Sequence, residues 1–82
     1  MTPVLLRHGP YKFFFYSNEG NPREPIHVHV RSAHGEAKIW LEPTIGLSES
    51  FGFNSRELSA IIKIVIDNRA AFTRAWREYF GN

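Results

Sequence analysis

Cysteine is absent from all 82 residues of this chain, which excludes disulfides and thiolate metal sites alike. Secreted chains of this size commonly rely on disulfides, so the absence fits a reducing, cytoplasmic setting. No stretch approaches the roughly 20 apolar residues that a membrane span requires. The apolar run within Met1-Thr2-Pro3-Val4-Leu5-Leu6-Arg7 is too short for a signal peptide, and Pro3 and the early Arg7 suit the start of a strand. Charge of one sign is scarce as well: 10 Lys and Arg against 8 Asp and Glu leave a net +2. That balance indicates no dominating electrostatic grip on nucleic acid, although a local basic patch would not show in the sum. Internal repeats and low-complexity tracts are also missing. These absences predict a soluble cytoplasmic protein with no membrane partner.

What is present must build a core from little chain. Residues 1–82 make one small domain, near the lower end of what a single core supports without staples. Aromatic residues are 15% of the sequence, and each supplies a large unit of buried area. The first half, 1–41, is rich in strand-forming residues. Val4 to Arg7 predicts a short strand ending at the Gly9-Pro10 turn. Tyr11-Lys12-Phe13-Phe14-Phe15-Tyr16 predicts a second, with aromatics on both faces except at Lys12, as a central strand would have. Ser17 to Pro22 is dense in turn residues, and Pro25 pushes Glu24 toward extended backbone.

Ile26 to Ser32 predicts the third strand and Glu36 to Leu41 the fourth. Ala33-His34-Gly35 joins them as a hairpin-like connection, with Gly35 free to take a positive φ. Residues two apart on a strand share a face. His27, His29 and Arg31 therefore form a polar row backed by Ile26, Val28 and Val30. In the fourth strand Ala37, Ile39 and Leu41 alternate with Glu36, Lys38 and Trp40. Placing both apolar sets on the core brings Glu36, Lys38 and Trp40 beside the histidine row, provided the register does not slip by one residue.

Residues 42–54 form a connector whose Ile45, Leu47, Phe51 and Phe53 can pack on the domain. Asn54 and Glu57 then have the spacing of a capping box. No Gly or Pro interrupts Ser55 to Phe80, so one long helix is predicted over 55–80, terminated by Gly81. Its core stripe is Leu58, Ile61, Ile62, Val65, Phe72, Trp76 and Tyr79 or Phe80, widened by Ala60, Ile64, Ala71 and Ala75. The architecture expected is α+β: an antiparallel sheet of about four strands (ββββ), followed by a long C-terminal helix packed on one sheet face.

The polar row suggests three kinds of chemistry. An H-x-H strand pair suits zinc through neutral imidazole nitrogens, with further ligands required from Glu36, His8, His34 or Glu19. Metal-independent RNA cleavage needs a base, an acid and cations for the phosphorane. His27 and His29 could divide the acid–base work, with Arg31 and Lys38 stabilising charge and Trp40 stacking a base. Ordinary packing is the third: half-buried histidines, Glu36 and Lys38 as cross-strand charge partners of Arg31 or His29, and Trp40 as a roof. The catalytic candidates are thus His27 and His29. The binding candidates are Arg31, Glu36, Lys38 and Trp40. No cofactor is expected, and a metal only through His27 and His29. Separately, the broad apolar surface of the helix and the open edges of the sheet favour protein interaction.

The run Gly9-Pro10-Tyr11-Lys12-Phe13-Phe14-Phe15-Tyr16-Ser17-Asn18-Glu19-Gly20, followed by Pro25-Ile26-His27-Val28-His29-Val30, resembles a bacterial family known as domain of unknown function 4160. The resemblance continues through Glu36 to Pro43, Gly52-Phe53, Arg56-Glu57-Leu58, Asn68-Arg69 and Trp76 to Phe80. Family members commonly have a shorter turn before the Pro-x-His-x-His unit, where Pro22-Arg23-Glu24 intervenes here. The resemblance carries no established catalytic residues. It implies a gene neighbouring another small domain, and hence a toxin–antitoxin-like or regulatory pair. The expected function is a non-enzymatic member of such a pair. It would form a homodimer or a hetero-complex with the product of an adjacent gene, with nucleic acid as a further partner. The alternatives are a ribonuclease toxin using His27 and His29, and a metal-binding domain built on the same pair.

Overall fold

The computed structural model describes residues 4–16 and 24–81. The turn expected at Ser17 to Pro22, and Glu19 with it, lies outside the described residues. Five strands run in chain order across one antiparallel sheet: β1 (Val4–His8), β2 (Tyr11–Phe14), β3 (His27–Arg31), β4 (Glu36–Trp40) and β5 (Gly46–Phe51). Two helices follow, α1 (Ser55–Asp67) and α2 (Arg69–Phe80). The class is α+β as expected, with one more strand and one more helix than the sequence predicted.

The first turn works because Gly9 takes φ 59°, which lets Gly9-Pro10 close a two-residue connection between His8 and Tyr11. The third and fourth strands pair with Val28 opposite Ile39 and Val30 opposite Ala37, which puts both apolar sets on the core side as expected. Those four side chains, together with Phe13, Phe15 and Leu41, form the sheet side of the core. Ile61, Ile64, Val65, Phe72 and Trp76 supply the helix side. Phe13 stacks on Phe72 at 5.6 Å between centroids, and Phe15 meets Trp76 edge-on at 5.1 Å. Both Leu5 and Leu6 pack against this core, because the β1–β2 register shifts between Val4 and Leu6 and turns two successive residues inward.

The expected connector contains β5, which pairs antiparallel to β4 along Gly46–Phe51. Its sequence, Gly-Leu-Ser-Glu-Ser-Phe, is polar and lacks clean alternation because it is an edge strand with little to bury. Gly35 does not take a positive φ. Its role is close approach: a Cβ there would sit 2.8 Å from the Phe51 carbonyl oxygen. Gly52 opposes it at φ 82°, and a Cβ there would come within 2.0 Å of the His34 carbonyl oxygen. The β3–β4 turn is therefore packed backbone to backbone against the end of β5.

The single long helix is corrected to two. Asn68 adopts φ −117°, ψ 14°, and its Nδ2 donates to the Ile64 carbonyl at 2.8 Å, a local bond that competes with regular helix. A straight helix over 55–80 would be about 39 Å long, whereas the longest dimension of the molecule is 34 Å. The bend lets α1 and α2 both cover the sheet. The ends are as the sequence predicts. Asn54 Oδ1 accepts from the Glu57 N–H at 2.8 Å, Glu57 Oε1 accepts from the Asn54 N–H at 2.9 Å, and Gly81 closes α2 at φ 77°. No helix among the described residues is long and apolar enough to cross a membrane.

Candidate functional site

The face of the sheet away from the helices carries the residues singled out in the sequence. His27 lies opposite Trp40, His29 opposite Lys38, and Arg31 opposite Glu36. All six come together on two adjacent strands, because Val28, Val30, Ala37 and Ile39 are drawn into the core and the alternate positions must face the other way.

The row is not uniformly open to solvent. His27 is 0% exposed. Its ring lies 5.5 Å from Trp40, 5.2 Å from His29 and 4.9 Å from Trp76 of α2. Its Nδ1 stands 2.9 Å from the Pro25 carbonyl, which can only accept, so Nδ1 carries a proton and donates. His29 is 8% exposed. It stacks on Phe14 at 5.6 Å and meets Tyr16 edge-on at 4.6 Å. An acid or base must reach within hydrogen-bonding distance of its substrate, and His27 presents no surface for that purpose. Among the described residues no group of three His, Asp or Glu side chains gathers as a metal site.

A charged triangle covers this aromatic layer. Arg31 donates from Nε to Glu36 Oε1 at 3.1 Å, and its Nη2 lies 3.0 Å from the same oxygen. That Nη2 also donates to the Tyr16 hydroxyl at 3.0 Å, which in turn donates to Glu36 Oε2 at 2.9 Å. Burial pushes the Tyr16 phenol above its ordinary range, and the Glu36 hydrogen bond and negative charge push it the same way. The hydrogen bond and charge of Glu36 also hold Arg31 more firmly protonated. Lys38 donates to Glu24 at 2.8 Å while its Nζ sits 4.6 Å from the Trp40 ring centroid. Beside the triangle, over β4 and β5, lies a cavity of about 230 Å³ lined by His29, Glu36, Lys38, Glu49 and Phe51, among others.

Other residues weighed in the sequence go elsewhere. His34 sits in the β3–β4 turn, where Nε2 donates to Glu57 Oε2 at 2.8 Å. That carboxylate is held below its usual range by the Asn54 backbone N–H, and less strongly by His34. His8 lies at the end of β1, opposite Tyr11. Tyr16, Phe14 and Glu24 were missed as site residues. The alternation Lys12, Phe14, Tyr16 was the available signal for the first two, since it continues the open face beyond the end of β2.

Fold and site together define a small α+β domain: an antiparallel meander, helices on one face, and a histidine–aromatic layer under ion pairs on the other. Residues 11–77 match the family model "Domain of unknown function (DUF4160)", and the chain belongs to that family. Comparison with curated proteins gives no match, and neither does comparison with solved structures.

Proposed function

We propose that this protein is a non-enzymatic protein-binding module, one member of a toxin–antitoxin-like or regulatory pair. The observation that carries this reading is β5. It stands at the end of the sheet with β4 as its one neighbour among the described strands. Its Leu47 is 45% exposed, and no Lys, Arg or Pro lies within it to discourage pairing. An extended segment of a partner can add to such an edge through main-chain hydrogen bonds, with Leu47 as an apolar anchor. The full enclosure of His27 weighs against the ribonuclease alternative, which needs both imidazoles, because only His29 borders the cavity on this face.

Co-expression of the tagged protein with the product of the adjacent gene tests the reading. A stable complex should be recovered, and Leu47→Asp should weaken it at least about tenfold, since a buried unpaired charge at an interface is costly. Recovery of a lone monomer, or a complex indifferent to Leu47→Asp, overturns it. RNA cleavage in EDTA that is lost in H27A/H29A would instead establish the enzyme.

A further inference from the structure

Across the first three strands the open face carries three cations in direct cross-strand register: Arg7 opposite Lys12, and Lys12 opposite Arg31. With neighbouring strands about 4.8 Å apart, the three positions span about 10 Å. Like charges directly opposite one another destabilise a sheet. Arg31 is neutralised by Glu36. Among the described residues neither Arg7 nor Lys12 has an ion-pair partner. Instead, Lys12 Nζ and the Arg31 guanidinium share the Phe14 ring, at 5.7 and 5.2 Å from its centroid. Cation–π attraction holds both heads over the face of the sheet. Arg7 is exposed beside them.

The same row continues through Glu36 to Phe51, whose ring is 70% exposed. Phe51 also lines the cavity over β4 and β5, which places it on the open face. One cross-strand line thus runs from unpaired cations to an exposed aromatic ring. Glu49, on the adjoining row opposite Lys38, repels phosphate at the β5 end and confines it to the β1–β3 end.

We infer that the open sheet face binds single-stranded nucleic acid, with Arg7 and Lys12 holding the phosphodiester backbone and Phe51 stacking an unpaired base. Phosphates supply the counter-charge that Arg7 and Lys12 lack, and base stacking on an exposed ring requires bases free of a duplex. This inference stands apart from the β5-edge reading, because it uses side chains on the face rather than the main chain of the edge.

Fluorescence anisotropy with a short labelled single-stranded RNA, the matching DNA strand and the duplex, over a range of salt, tests it. The wild type should bind at least one of the single strands, and bind it at least about tenfold more tightly than the duplex. Arg7→Ala/Lys12→Ala should weaken binding at least about tenfold and lower the slope of log affinity against log salt by about 1.4. Phe51→Ala should weaken binding about fivefold or more with the slope unchanged. Leu47→Asp should leave RNA binding intact even where it abolishes partner capture. Arg7→Gln/Lys12→Gln repeats the test should the alanine pair fail to fold by circular dichroism. Absence of salt-dependent binding, equal affinity for the duplex, or indifference to both double variants overturns the inference.

Discussion

The two faces of this sheet are built from alternate residues of the same strands, yet they exclude water by different means. On the helix side Phe13, Val28, Val30 and Ile39 are sealed by a separate layer, α1 and α2, through hydrocarbon contact. On the open side Phe14 and His29 are almost equally enclosed, and the rings and charged side chains of that face do part of the covering: Tyr16 over His29, and Lys12 and Arg31 over Phe14. Long amphipathic side chains roof an aromatic layer with their stems while keeping their charges in water. The helix side is therefore where the fold is held together. On the open side the charged residues that roof this layer can change with little effect on folding, which is the property a binding face needs.

The sharpest way to break the comparison is one substitution on each side of β2. Phe13→Ala removes a fully buried ring that stacks on Phe72, and should cost about 3–5 kcal/mol, enough to leave so small a domain largely unfolded. Lys12→Ala, one residue away on the other face, should change stability by no more than about 0.5 kcal/mol. Urea denaturation of both variants measures the contrast. Equal losses would mean that the faces do not differ as described.

That asymmetry also explains what could be read from the sequence. Strands β3 and β4 were legible with their facing, because Val28, Val30, Ala37 and Ile39 alternate strictly and a one-residue slip would turn one set away from the core. The capping box and the Gly81 stop were legible because both are local chemistry. Strand β5 was not, since an edge strand that buries little carries no hydrophobic period, and its pairing is set by β4 and by the Gly35–Gly52 contact. The bend at Asn68 was missed because the apolar stripe continues through it. What decides it is the size of the sheet beneath and one side-chain hydrogen bond. For the site, the six-residue juxtaposition followed from alternation. The burial of His27 did not, since it depends on Trp76, far along the chain, reaching the end of β3.

At alkaline pH the difference between wild type and Tyr16→Phe probes the open side. Burial and Glu36 raise the Tyr16 phenol above its unfolded value of 10.0. A group whose proton is held more tightly in the folded state stabilises fully below the unfolded value, and that contribution is lost as pH rises through the folded one. Wild-type stability should accordingly fall as pH rises past 10.0, and Tyr16→Phe should fall less steeply. The urea midpoint at neutral and alkaline pH, with phenolate absorbance as a second readout, measures the difference. Since Tyr11 and Tyr79 are present in both proteins, only the gap between wild type and variant reports on Tyr16. Parallel pH profiles would show that the triangle is not closed in solution.

The smallest expected effect is the most direct measure of how little the open side contributes to folding. Arg31 Nε and Nη2 both approach Glu36 Oε1, with side chains 46% and 24% exposed. Ion pairs at such exposure are worth about 0.2–1 kcal/mol, because water screens the charges and ordering two long side chains costs entropy. A double-mutant cycle of Arg31→Ala and Glu36→Ala should return a coupling in that range, shrinking as salt is raised. The Tyr16 hydroxyl bridges the same two groups, so repeating the cycle in Tyr16→Phe should reduce the coupling further. A coupling of several kcal/mol, insensitive to salt, would instead make the triangle a buried structural device. The open face would then be a second core rather than a surface for contact.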